Sequence, residues 1–223
     1  ARWIIEEFAA GLCCKVAKKI GSRSRIRQLI ATRGIDSVMH FAGSILVQSE
    51  RLAQMIDKLL ALAAVEHRQR IERPETVDLV ELAGEVVESS APRLARRRVE
   101  LRLDADATAR VSGDRFLLRQ ALANLVDNAL DFAPDRSVVE LGVHRRGSDV
   151  VAEVCDEGPG VPEYALPRVF ERFYSLPRPM GGSRSSGLGL CFVAEVAALH
   201  GGAPTLANRD GGGAVARLVL PAV

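Results

Sequence analysis

Gln120, Asn124 and Asn128 recur at intervals of four residues, and Leu117, Ala121, Leu125, Ala129 and Phe132 form the adjoining apolar stripe. On a helix this spacing stacks the amides on one face, at the edge of the buried stripe, so two of them one turn apart can reach the same ligand. An amide oxygen can coordinate a hard ion such as magnesium, and an amide N–H can donate to phosphate. The plainer reading is a pair of surface or capping asparagines. Asparagine is a poor helix-interior residue, so two at this spacing ask for a reason.

Three further segments carry chemistry. Asp156-Glu157-Gly158-Pro159-Gly160 follows an apolar run in which Val150, Ala152 and Val154 share one face of a strand. Asp156 continues that face and so points toward the helix layer. A buried carboxylate needs donors, and the exocyclic amine of adenine is a good one. Gly158 and Gly160 would let the backbone approach the base, although a plain Asp-Gly turn has the same composition. Phe170-Glu171-Arg172-Phe173-Tyr174 sets aromatics beside an arginine inside a proline- and glycine-rich insert, Gly158 to Gly187. There Arg172 can reach a polyphosphate from a mobile lid, while the aromatics can equally pin the loop to the core. Gly181-Gly182-Ser183-Arg184-Ser185-Ser186-Gly187-Leu188-Gly189-Leu190 leads into a helical pattern over 188–200. Glycines and hydroxyls ahead of a helix N-terminus make an anion site, or merely a capped linker. The segment is neither a Walker A loop nor a dinucleotide fingerprint.

These segments need elements to hold them. Apolar residues at three- and four-residue spacing predict a long amphipathic helix over 42–67, with Trp3–Ile20 and Ile26–Ile30 as a candidate antiparallel neighbour. Such a helical hairpin leaves apolar surface that a second copy can cover. The basic run Lys15 to Arg33 shows no amphipathic match and is given no structure. Beyond Pro74 the pattern changes to a helix over 78–97, a strand over 98–103 and a helix over 115–132 that Asp114 caps and Pro134 stops. Two alternating runs, Val138–His144 and Val150–Asp156, joined through Arg145–Ser148, predict a hairpin. A short apolar-aromatic helix is expected at Ala165–Tyr174, and a glycine turn with a closing strand at Gly211–Leu220. The fold class is α+β, helices against a mixed sheet. The expected division is a helical region, 1–73, and a second domain, 74–223.

Composition narrows the function classes. The chain has 223 residues, of which 48% are hydrophobic and 26% charged, which argues against wholesale disorder. Lys and Arg number 30 against 28 Asp and Glu, a balance that argues against a general nucleic-acid binder. Cys13 and Cys14 are adjacent, while Cys155 and Cys191 lie in distant apolar runs, a spacing that fits neither a disulfide framework nor a zinc site. A reducing compartment fits, and no stretch reaches the length of a membrane span.

The ordered set of four boxes resembles the catalytic ATP-binding domain of two-component sensor histidine kinases, an ATP-binding α/β sandwich of the histidine kinase/gyrase/Hsp90 type. Arg119–Ala129 is similar to that family's asparagine box, Asp156–Gly160 to its first glycine box, Phe170–Tyr174 to its phenylalanine box and Gly187–Leu190 to its second glycine box. Gly211-Gly212-Gly213 fits the closing element, and Phe170–Arg178 is similar to the CreC-type members in particular. The resemblance spans 42–223. It implies ATP and Mg²⁺ as cofactors. Asn128 would coordinate the metal and Asn124 would contact phosphate or the ion's water shell. Asp156 would accept from the adenine amine, with Gly158 and Gly160 shaping the base pocket. Arg172 and Ser186 would hold phosphates, Asn124 and Arg172 acting in catalysis. Gly187, Leu188 and Gly189 would line the phosphate site and Tyr174 the nucleotide pocket. Where the family often carries a lysine, this chain has Asp131, so that positive contact is absent or supplied elsewhere.

The resemblance also implies a homodimer through the helical hairpin, a response-regulator receiver domain as partner and no nucleic acid. A cytoplasmic location is expected, with any anchor in the bacterial inner membrane lying outside this chain. The family's phosphoacceptor histidine would fall near Leu12–Lys15, where the sequence reads Gly11-Leu12-Cys13-Cys14-Lys15. No histidine occurs in 1–39, and His40 is out of register. Phosphorylation in cis is therefore expected to be impaired, and a nucleotide-binding pseudokinase or scaffold is the alternative. His67, His144 and His200 are expected at the surface or as caps. A gyrase- or MutL-type hydrolase is disfavoured, since those enzymes use a glutamate base where this chain has Asn124, and an amide cannot take a proton from water.

Overall fold

The structure, a computed structural model, describes residues 23–68, 70–177 and 185–223. Its first described element is helix α1, Arg23–Glu66. The expectation of a helix over 42–67 is therefore too short at its start. Ile26–Ile30 is part of this same helix and cannot be its antiparallel neighbour. The reason is local: residues 23–41 contain no proline, and their Arg, Ile, Leu, Gln and Ala are mostly tolerant of helix even without an apolar stripe. The basic segment from Arg23 to Arg33 is thus helical. Trp3–Ile20, the other candidate arm of the hairpin, lies outside the described residues.

Two compact units meet at Asp57/Lys58, inside α1. In the first, Phe41, Leu46, Val47, Leu52 and Ile56 are exposed along the helix. In the second, the end of α1 is buried: Leu62 and Val65 belong to the main core.

That second unit is a mixed α/β sandwich. A five-stranded sheet has the order β2-β4-β5-β7-β6, where β2 is Glu100–Ala105, β4 Val138–Arg146, β5 Asp149–Cys155, β6 Ala203–Asn208 and β7 Ala214–Pro221. Only β2 and β4 pair in parallel. Their neighbours are antiparallel. Helices α2 (Leu79–Arg97), α3 (Arg115–Phe132) and α4 (Gly189–Leu199) pack with α3 between the other two. Leu82, Leu118, Leu122, Leu125, Val193 and Val196 of the helices meet Leu141, Val154 and Leu218 of the sheet in one core. A separate ribbon pairs β1, Glu75–Asp78, with β3, Arg110–Gly113.

Helix α3 has the bounds its caps dictate. The Leu117 amide donates to the Asp114 carboxylate at 3.1 Å, and the helix closes at Phe132, with Pro134 two residues on. Strands β4 and β5 form the expected hairpin, longer by Arg145 and Arg146 at the end of β4. The helix expected at Ala165–Tyr174 is instead one 3-10 turn, Leu166–Arg168. Pro167 sits inside that turn, and Phe173, at φ 62°, turns the chain out of helical space. Strands β1, β3 and β6 had no counterpart in the sequence reading.

Candidate functional site

The site is built where α3, the end of β5 and the start of α4 come together. Asn124 is 9% exposed on the inner face of α3. A Cβ placed on Gly189 would lie 3.8 Å from its Oδ1, so the first turn of α4 rests against this amide at van der Waals distance. Asn128, one turn further along α3, is half-buried on the same side.

Asp156, just past β5, is 6% exposed. Its Oδ1 accepts from the Gly158 amide at 2.7 Å and the Ala214 amide at 3.3 Å. Burial pushes the carboxyl above its ordinary pKa, and these two amides and the charge of Arg209 work against that rise. Gly158 is required sterically. Any Cβ there would come within 2.8 Å of the Phe132 carbonyl at the end of α3 and 2.7 Å of Asp156 Oδ1. The first glycine turn is therefore packed directly onto the asparagine helix. Gly160, at φ +74°, turns the chain where a side chain would strike Asn208. Gly213 leaves room for the Asp156 carbonyl.

The lid closes onto the second glycine turn. Gly187 has φ +67°, and a Cβ there would collide with the Phe173 and Tyr174 backbone; its carbonyl accepts from the Phe173 amide at 3.0 Å. Leu188 is buried and Ser186 half-buried. Gly181–Arg184 lie outside the described residues. Loop anchoring falls mainly to Ala165 and Val169, both buried, while Phe170 is half-buried and Phe173 is 59% exposed. Phe173 thus does not pin the loop. The Tyr174 ring carries the Arg168 guanidinium 4.5 Å above its centre, a cation–π contact.

Arg172 is not free. Its guanidinium forms an ion pair with Glu66 at the end of α1. Burial pushes up the pKa of the Cys191 thiol, and Arg172 offsets that rise only in part. Burial likewise raises the thiol of Cys155. Neither cysteine is set up as a thiolate nucleophile. The carboxylates of Asp127 and Asp131 both pair with Arg93 from α2, so a cation does stand beside the position where the family carries lysine.

Sequence reasoning missed Glu66, Asn208 and Arg209. Glu66 gave no signal, because an acidic residue at a helix end is common. Asn208 and Arg209, just ahead of the Gly211–Gly213 turn, gave none either. His200, expected at the surface or as a cap, is the C-cap of α4 and is 8% exposed. Its Nδ1 lies 2.7 Å from the Val196 carbonyl, and its Nε2 accepts from the Asp114 amide at 3.0 Å, joining α4 to the start of α3. Gly113 has to be glycine beside it, since a Cβ there would overlap the imidazole.

Among the described residues no group of three or more His, Cys, Asp or Glu is arranged to hold a metal. An ion here would take amide and phosphate oxygens instead, a donor set that suits magnesium. Also among the described residues, no helix is long and apolar enough to cross a membrane.

Comparison with known proteins agrees with this architecture. Residues 113–223 match the family of histidine kinase-, DNA gyrase B- and HSP90-like ATPases. The chain is 42% identical over 183 residues to the sensor protein CreC of Escherichia coli (strain K12), covering 82% of this chain and 38% of that one. The chain spans less than two thirds of the length of CreC and of other curated relatives that it matches. A mycobacterial sensor histidine kinase, MprB, superposes with a TM-score of 0.59 at 30% identity, covering 67% of this chain and 98% of that structure. Full-length ShkA in complex with AMPPNP superposes with a TM-score of 0.71 at 25% identity, over 97% of this chain and 46% of that one. The chain belongs to the sensor histidine kinases and carries their ATPase-type catalytic domain.

Proposed function

We propose that this chain binds Mg-ATP between α3, the Asp156 turn and α4, and transfers the γ-phosphoryl group to a histidine, from which it passes to a response-regulator aspartate. The observation that carries the reading is Asp156. A carboxylate is costly to bury, and both hydrogen bonds described for it fall on Oδ1. A base amine supplies a further donor. On this reading Asp156 selects adenine, while Gly158 and Gly160 keep side chains out of the base plane. Asn128 would hold magnesium, which when bound neutralises phosphate charge. Asn124 donates to or accepts from the phosphates and their water shell. The amides of Gly187, Leu188 and Gly189, with Ser186, face the anion at the start of α4. Tyr174 borders the pocket, and Arg172, released from Glu66, supplies a lid cation during transfer. The complex of ShkA with AMPPNP supports a nucleotide in this fold.

Residues 1–73 act, on this reading, as the dimerising helical region and 74–223 as the catalytic domain. The exposed apolar residues of α1 favour a homodimer. The partner is a receiver domain, and the module works in the cytoplasm beneath an inner-membrane sensor. No part of this chain is assigned to membrane or nucleic-acid contact. A second reading, a nucleotide-binding pseudokinase or scaffold, is favoured by one feature: no histidine occurs before His40.

Transfer of radiolabelled γ-phosphate separates the two. The chain is incubated alone, then with an intact homologous kinase whose ATP site is inactivated. Label on the homologue only is expected, since catalysis is intact and the acceptor is missing in cis. No label on either protein would favour the scaffold. Asn128→Ala should abolish transfer, and magnesium-dependent labelling retained in that variant would remove its assigned role.

A further inference from the structure

We propose that Asn208 is a positioning residue for the adenine side of the site, acting through a two-bond clamp on Val161; the inference rests on the nucleotide-binding reading above. β6 ends at Asn208, opposite Ala214 of β7. The side chain is exposed, yet both of its polar atoms are used. Oδ1 accepts from the Val161 amide at 2.7 Å, and Nδ2 donates to the Val161 carbonyl at 2.8 Å. One donor and one acceptor offered to the N–H and C=O of a single residue is what an antiparallel strand neighbour supplies. Only an amide side chain carries both functions in that geometry. The loop after Gly160 is thus attached to the sheet without a strand of its own.

The adjoining residue grips the other end of the same turn. Arg209 Nη1 donates to the Asp156 carbonyl at 3.1 Å. The segment from Asp156 to Val161 is therefore held at its first and last residues by Arg209 and Asn208. Gly160 at φ +74° makes close contact with Asn208 possible, a Cβ at this position falling 2.8 Å from Oδ1. Base recognition depends on the direction of the Asp156 carboxylate to within about 0.5 Å. A turn free at Val161 would leave the carboxylate buried but its direction variable. Asn208 then governs discrimination between bases, and leaves the phosphate contacts of α4 alone.

The test compares ATP with inosine triphosphate, which has an oxygen in place of the 6-amino group. Affinities are measured in magnesium, and amide hydrogen exchange is followed at Val161. Asn208→Ala should weaken ATP about 10-fold and leave inosine triphosphate almost unchanged, so the preference for ATP collapses. The Val161 amide should lose protection while the β6 and β7 amides keep theirs. Asn208→Asp retains the acceptor alone, and an intermediate preference is expected. This variant also carries the test if the alanine variant does not fold. A wild-type preference for ATP in both variants, with Val161 deprotected, would overturn the clamp. So would unchanged Val161 protection in Asn208→Ala. Failure of the unmodified chain to bind ATP would instead overturn the nucleotide reading, and the clamp with it.

Discussion

The two halves of the candidate site are held in opposite ways. On the base side, backbone packs on backbone at two points, Gly158 against the Phe132 carbonyl and Gly213 against the Asp156 carbonyl, and the Asn208 side chain holds Val161. On the proposed phosphate side, Arg172 is engaged elsewhere, by Glu66. On the proposed reading, the base side is preorganised and selects its ligand without rearranging, whereas the phosphate side exchanges one ionic partner for another, which makes it the half on which lid movement can act.

The sharpest way to break the base side is Asp156→Asn. Burial raises this carboxyl's pKa, so the folded state disfavours its charge and the neutral amide should leave thermal stability equal or higher. Adenine binding, by contrast, should fall about 100-fold, because the acceptor is replaced by a group that can turn a donor toward the base amine. Calorimetric titration paired with thermal melts reads both, and a parallel loss of stability and binding would show that Asp156 is merely structural. In the unmodified protein, binding should weaken as pH falls toward the raised pKa, already above the ordinary 3.8.

Gly158→Ala attacks the same half through packing. The obstructing atom is the backbone carbonyl of Phe132, which cannot rotate away. A loss of about 1–3 kcal/mol in denaturant unfolding is expected. Gly189→Ala is the control on the phosphate side: its Cβ would meet Asn124 only at 3.8 Å, so its stability should stay within about 0.5 kcal/mol of wild type.

His200 links the start of α3 to the end of α4. Burial lowers its pKa from 6.5, so the fold requires the neutral ring that accepts from the Asp114 amide. Its stabilising contribution is complete above pH 6.5. It declines as pH falls through the interval between 6.5 and the lower folded value, where the unfolded chain binds the proton first. His200→Gln should flatten that part of the stability profile. An unchanged slope in chemical denaturation at stepped pH would refute the assignment.

The smallest effect belongs to Glu66→Gln. Arg172 is about half exposed, so the ion pair is screened and its loss should raise Mg-ATP affinity only two- to three-fold. The same substitution in an Arg172→Ala background should do nothing. An equal gain in both backgrounds would separate Glu66 from the lid.

How far the sequence carried this account depended on how local each signal was. Helix α3 was legible residue for residue because Asp114 and Pro134 mark its ends. The β4–β5 hairpin and α4 were legible from periodicity. Strand β1 was not, because its four residues are strand only by pairing with Arg110–Gly113, over thirty positions away. The same holds for β3 and β6. The four boxes could be named from their order and their resemblance to the family, but not the residues that hold them. Asn208, Arg209, Glu66 and His200 act through contacts between distant segments, which a linear pattern does not contain. The N-terminal part of α1 was missed for a different reason: a helix without an apolar stripe leaves no periodic trace.

The central claim is that one Mg-ATP joins the asparagine helix, the Asp156 turn and the start of α4. Hydrogen exchange of the chain with and without a non-hydrolysable ATP analogue in magnesium tests this most directly. Simultaneous protection over 124–128, 156–161 and 187–191 is expected at saturation. Exchange that is unaltered in all three segments, or altered in one of them alone, would contradict it.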